Sequence, residues 1–149
     1  MSESYIGLAP SYGVFEVQRI AGTTATTYDL DFEVAQATQL LVSIDGIVQE
    51  PDYSYSVGRD ASGNMQLTFA SALTEQTASS VTLTSGSTTI SAVSNTGLYN
   101  VGQPITGNAN IPANTFITAI PSSTTLTISN AATGGDGTAN KTIKIGSRI

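Results

Sequence analysis

Residues 39–69 read QLLVSIDGIVQEPDYSYSVGRDASGNMQLTF, and their punctuation decides the fold class. Asp45 and Gly46 stand between two apolar runs, residues 41–44 and 47–49. Gly accepts positive φ without steric cost and Asp tolerates the left-handed region, so the pair predicts a tight hairpin turn. Pro51 has no N–H to give to a ladder, which ends the second strand or places it on an edge. Tyr53, Tyr55 and Val57 then alternate with Ser54 and Ser56, the period-2 pattern of a half-buried strand. Residues 58–63 turn the chain into Met65, Leu67 and Phe69, which alternate with Gln66 and Thr68. The stretch therefore predicts a β-meander, and it contains no recognisable reaction centre.

Upstream, residues 14–20 (VFEVQRI) and 26–34 (TTYDLDFEV) read as two further strands. In the second, Tyr28, Leu30, Phe32 and Val34 share one face and Asp29, Asp31 and Glu33 the other. Downstream, residues 70–80 have little periodicity and read as a junction. Beyond them, residues 81–84 and 88–90 flank Ser85, Gly86 and Ser87 as a hairpin. Residues 97–114 are rich in Gly and Pro, with Leu98, Val101, Ile105 and Ile111 expected to pin them to a core. Residues 115–120 and 124–128 read as strands across a turn at Pro121, Ser122 and Ser123. Gly134, Gly135 and Gly137 mark another turn before a last strand over 141–145, with Ile143 and Ile145 inward.

No helical period persists over ten residues, and the two halves do not repeat each other. Short strands with turn signals every 8–12 residues predict an all-β fold of sandwich or barrel type. The expected organisation is an extended arm over residues 1–13, an N-terminal β module over 14–76 and a C-terminal β module over 77–149. At 149 residues the whole chain can bury roughly 70% of its unfolded surface, but two modules of half that size are each marginal alone.

Composition excludes several chemistries. The chain has no Cys and no His, so a disulfide framework, thiolate chemistry and a Ser-His triad are ruled out. Charged residues are only 11% of the chain, against about 25% in ordinary domains; polarity comes from Ser, Thr, Asn and Gln. Net charge is −6 and uneven: residues 1–75 hold ten acids and two bases, residues 76–149 one acid and three bases. An acidic half disfavours nucleic acid, and three C-terminal bases without interleaved aromatics make no phosphate-tracking groove. The first thirteen residues lack a basic n-region and an apolar core, so no secretory leader is expected. No run of about 18 apolar residues suggests a membrane span.

Asp29, Asp31 and Glu33 form the one clustered ionisable constellation. Carboxylates in such a row can ligate Ca²⁺ or act in pairs on a glycosidic bond. Alternate residues of a strand splay about 6.5–7 Å apart, however, and no Gly-framed metal loop accompanies these three. A solvated strand face that discourages edge pairing is the simpler reading. Gly134, Gly135, Asp136 and Gly137 lack the Lys-Ser/Thr and helix of a phosphate loop, and a single GGDG is not an array of Ca²⁺ repeats. Asn140, Lys141 and Thr142 match a three-residue glycosylation sequon. No catalytic residue, metal or cofactor is expected from these motifs.

Two stretches resemble known modules. YIGLAPSYG (residues 5–13), with LLVSIDGIVQEPDYSYSV (40–57) and MQLTFASAL (65–73), resembles a module of tailed-bacteriophage fibre and other virion proteins. VGQPITGNANIPANTFITAI (101–120) with SSTTLTISNAA (122–132) resembles a β module of phage tail and head surfaces. The resemblance implies a non-enzymatic virion structural protein, assembled in the host cytoplasm and commonly homotrimeric. The first expectation is a capsid decoration (cement) protein bound to the major capsid protein. The alternatives are a short tail fibre, collar or tail-adaptor protein, or a carbohydrate-binding module for a host surface glycan with Tyr53 and Tyr55 as its aromatic platform. Tyr5, Ile6, Leu8 and Tyr12 are the expected interface residues, since aromatic and large apolar groups anchor interfaces.

Overall fold

The computed structural model describes residues 16–149, and their regular structure is nearly all β. The strands are β1 (Ala21–Gly22), β2 (Thr27–Asp29), β3 (Ser43–Ile44), β4 (Ile47–Val48), β5 (Tyr55–Arg59), β6 (Met65–Phe69), β7 (Gln76–Thr84), β8 (Thr89–Ile90), β9 (Ile105–Thr106), β10 (Ile117–Ser122), β11 (Thr125–Ile128), β12 (Asp136–Ile145) and β13 (Ser147–Arg148). Short 3₁₀ turns occupy Ala37–Gln39 and Thr96–Leu98. Among the described residues no helix is long and apolar enough to cross a membrane. The expected arm, residues 1–13, lies outside the described residues, and so do Tyr5, Ile6, Leu8 and Tyr12.

The meander forms as its sequence dictates. β3 and β4 pair antiparallel across Asp45 (φ 50) and Gly46 (φ 88), a turn with both central residues at positive φ. β6 is the centre of a three-stranded antiparallel sheet, between β2 and β5. Its Met65, Leu67 and Phe69 are buried and its Gln66 and Thr68 are half-buried, the alternation expected of a strand with one face on a core. The β5–β6 turn is closed by Asp60, whose carboxylate accepts the N–H groups of Ser62 and Asn64, each at 2.8 Å. Those bonds, chiefly from Asn64, hold the Asp60 carboxyl below its ordinary pKa.

In the second half, β10–β11–β8 and β7–β12–β9 are two further three-stranded antiparallel sheets. β7 joins β8 through the Thr82–Ser91 bridge. Pro121 falls inside β10, which is an edge strand, the place where a missing N–H is tolerated. β12 departs from regular register against β7 at three points between Asp136 and Ile143, as bulges do. The sheets are open, so the barrel-like form of the expectation does not close.

Two cores result. One gathers Tyr28, Ala37, Val42, Tyr55, Leu67 and Phe69, with Ile20, Leu73 and Ile149 among the half-buried groups on it. The other gathers thirteen buried residues between Ala78 and Ile145, including Val81, Leu83, Ile90, Ile117, Leu126 and Ile143. After Ile145 the chain returns to the first half: β13 pairs with β1, and Arg148 also meets the hairpin turn. The Asp45 N–H donates to the Arg148 carbonyl, and the Asp45 carboxylate accepts the Arg148 N–H, both at 2.8 Å.

Several expected bounds are corrected. Residues 16–20 form no strand; pairing falls on Ala21–Gly22, because the partner is the short β13. β2 ends at Asp29, since β6 begins at Met65 and its turn leaves nothing beyond to pair with. Tyr53 is not on the strand that holds Tyr55. Ser54 N–H bonds to the Glu50 carbonyl at 2.8 Å, and Asp52 at φ 62 turns the chain, leaving Tyr53 outside. The expected junction over 70–80 is already β7 from Gln76 onward. β12 begins at Asp136, ahead of the expected 141. Ile105 and Ile111 are buried as expected, but Leu98 and Val101 are exposed, and Tyr99 takes the core position between them.

Candidate interaction surface

The Asp-Gly hairpin that organises the first half also carries its most exposed apolar groups. β3 and β4 are two residues each, too short to lie flat on the core. Val42 is buried, whereas Leu41 before it is 83% exposed, and Ile47 and Val48 after the turn are also exposed. Leu41 continues into a groove of about 780 Å³ whose wall includes Val17, Ile20, Leu30, Phe32, Val34 and Leu40. Val17 is itself a large exposed apolar residue. Single exposed apolar residues are ordinary, but Leu41 and Val17 line one groove together, which marks a candidate interaction surface, and Ile47 and Val48 stand exposed on the hairpin that leads into it. Glu16, Arg19 and Arg148 add charged groups to the lining of this groove.

The groove floor is fixed from beneath by Tyr55. Its ring is buried, and its hydroxyl lies 3.1 Å from the Ala37 carbonyl and 2.9 Å from that of Leu40. Burial, with Asp52 nearby, raises the pKa of this phenol, which therefore stays a donor. Tyr28 closes the neighbouring loop: its hydroxyl accepts the Thr23 N–H at 3.0 Å, and its ring meets Phe69 edge-on at 5.9 Å. The Gln18 side chain adds a mock strand, donating to the Asp29 carbonyl at 3.0 Å and accepting the Asp31 N–H at 2.9 Å.

The acidic row is exposed, as the alternation of TTYDLDFEV requires. Its members turn to different partners. Asp29 accepts from the Gln66 amide at 2.9 Å, and Glu33 forms a forked ion pair with Arg59. Among the described residues no three carboxylates converge as a metal site. The expected aromatic platform does not assemble: Tyr55 is a core residue, and Tyr53, 78% exposed, stands apart from it. Sequence reasoning missed Leu41, Ile47 and Val48. Their apolar run looks like core, but only Val42 and Ile44 of it pack on the core, and the two-residue ribbon leaves the others outside.

No family model, curated protein or solved structure matches the chain.

Proposed function

We propose that the chain is a non-enzymatic structural protein of a tailed-phage virion, a capsid decoration (cement) protein that braces the shell through contacts with its own copies and with the major capsid protein. The observation that supports it best is the apolar groove lined by the exposed Leu41 and Val17, together with the exposed Ile47 and Val48 of the adjoining hairpin. Fully burying one such side chain contributes about 1.5–3 kcal/mol, so three or four of them can carry the apolar centre of a subunit contact. Homotrimeric assembly gives the two cores additional buried area. The modules' resemblance to virion β modules supplies the setting. The first module's likeness to fibre proteins keeps a short tail fibre, collar or tail-adaptor as the second reading, with the same surface engaged at the tail.

The test is co-sedimentation of purified protein with undecorated particles. The intact chain is expected to pellet with them and Leu41→Asp to remain in the supernatant, while circular dichroism shows the same β spectrum for both. Removal of residues 1–13, with Tyr5, Ile6, Leu8 and Tyr12, is expected to abolish attachment as well. Unchanged attachment of Leu41→Asp contradicts the assigned surface.

A further inference from the structure

The chain has five basic residues. Among the described residues, Arg59, Lys141 and Lys144 pair with Glu33, Asp136 and Glu75. Arg19 and Arg148 both line a cavity of about 590 Å³ on the ribbon where β13 returns to β1, and both also border the apolar groove next to it. Register explains why they meet. Ala21 stands opposite Arg148 in the β1–β13 pair, so their side chains share a face. Beyond β1 the main-chain pair between Ile20 and Ile149 continues the ladder by one residue, so Arg19, two before Ala21, follows the same alternation as a diagonal neighbour of Arg148 at about 7–8 Å between backbones. Two like charges so placed repel each other, which favours a bound anion between them in addition to the Asp45 carboxylate that sits on the Arg148 N–H.

Arg148 is seated by design of the opposite wall. Gly102, at φ +92, leaves the space its guanidinium uses; a Cβ there would stand 2.6 Å from Nη1. The same cavity is lined by the exposed Phe116 and Val101 and by Asn114 and Thr118. Asn114 is held at φ 57, a left-handed conformation that Asn enters more readily than most residues. The Thr118 hydroxyl donates to the Thr127 carbonyl at 3.2 Å and keeps its lone pairs for another donor.

We infer that this cavity is a binding site for a saccharide carrying a carboxylate, a uronic-acid unit, with Arg19 and Arg148 gripping the carboxylate. Guanidinium forks match a planar carboxylate in geometry and charge. A pyranose offers an apolar ring face to Phe116 and Val101 and hydroxyls to Asn114 and Thr118. The volume lies in the range of small-ligand pockets, about 300–1,000 Å³. The net charge of −6 repels any extended polyanion beyond the cavity, so the site suits a short or sparsely charged glycan. The site adjoins the apolar groove, with Arg19, Ile20 and Arg148 lining both, and does not depend on whether the protein sits on head or tail.

The test is calorimetric titration of the full chain with digalacturonate, with its neutral counterpart galactobiose and with a triglutamate peptide. Binding of digalacturonate alone is expected. Arg19→Gln and Arg148→Gln should each weaken it about tenfold or more, the loss expected for one charge-assisted pair, while Arg59→Gln stays within about twofold. Arg19 is exposed, so its variant reads the site even where Arg148→Gln disturbs β13. Absence of digalacturonate binding, equal binding of galactobiose or triglutamate, or unchanged affinity in Arg19→Gln overturns the inference.

Discussion

Ile20 and Ile149 exchange both main-chain hydrogen bonds, at 2.9 and 3.0 Å, and both side chains pack on the same core. The chain's last residue thus belongs to the core of its first half. Each bond contributes about 1 kcal/mol net, and the half-buried Ile side chain contributes a similar amount. Deleting residues 147–149 is expected to cost about 2–4 kcal/mol in urea unfolding. A change under about 0.5 kcal/mol contradicts this closure.

The Tyr55 hydroxyl ties the Ala37 and Leu40 carbonyls, and with them the wall under Leu41. Tyr55→Phe keeps the ring and removes the one O–H shared by those carbonyls; Ala37 still accepts the Leu40 N–H at 3.0 Å, so the Leu40 carbonyl is the acceptor left stranded. A loss of about 1–2 kcal/mol is expected, since a buried acceptor left without a donor costs that much. Urea titration of the variant checks it, and an unchanged midpoint contradicts it.

Gly135 and Gly46 separate two costs that sequence cannot tell apart. Gly46 at φ +88 has nothing near its missing Cβ, whereas at Gly135, φ +126, a Cβ would stand 2.2 Å from the Leu83 carbonyl oxygen. Gly46→Ala is expected to cost about 1 kcal/mol in backbone strain alone. Gly135→Ala must also push β12 off β7 and should cost at least twice as much. Thermal unfolding of the two variants side by side checks the order; equal losses contradict it.

Asp136 accepts bonds from the Thr138 hydroxyl and N–H and from Lys141, and these hold its carboxyl well below the usual range. A carboxyl whose pKa is lowered by folding stabilises the native state above its unfolded pKa, about 3.9. That stability is lost as pH falls below this value toward the folded pKa. Asp136→Asn cannot ionise, so its melting temperature should fall less than the wild type's between pH 6 and pH 2. Parallel curves contradict the assignment.

Much of this architecture is legible in the sequence, and its failures have physical causes. The Asp45–Gly46 hairpin and the burial of Met65, Leu67 and Phe69 follow from turn chemistry and period-2 alternation. In TTYDLDFEV the alternation persists to Val34, but the ladder stops at Asp29, because a strand lasts only as long as its partner. Tyr53 shows the reverse: its pattern fits a strand, and the Asp52 turn removes it. The β1–β13 pairing joins residues more than 120 apart in sequence, a contact that no local signal encodes. The apolar face was invisible for a related reason. Leu41, Ile47 and Val48 are core-like in composition, and their exposure depends on how little core lies beneath a two-residue ribbon.

The most direct test of the virion proposal is the copy number of this chain in purified particles, measured by quantitative mass spectrometry against the major shell protein. A decoration protein is expected at on the order of hundreds of copies, matching the symmetry-related sites of a shell. About a dozen copies would favour the collar or tail instead. Absence of the chain from the particles contradicts the virion structural role altogether.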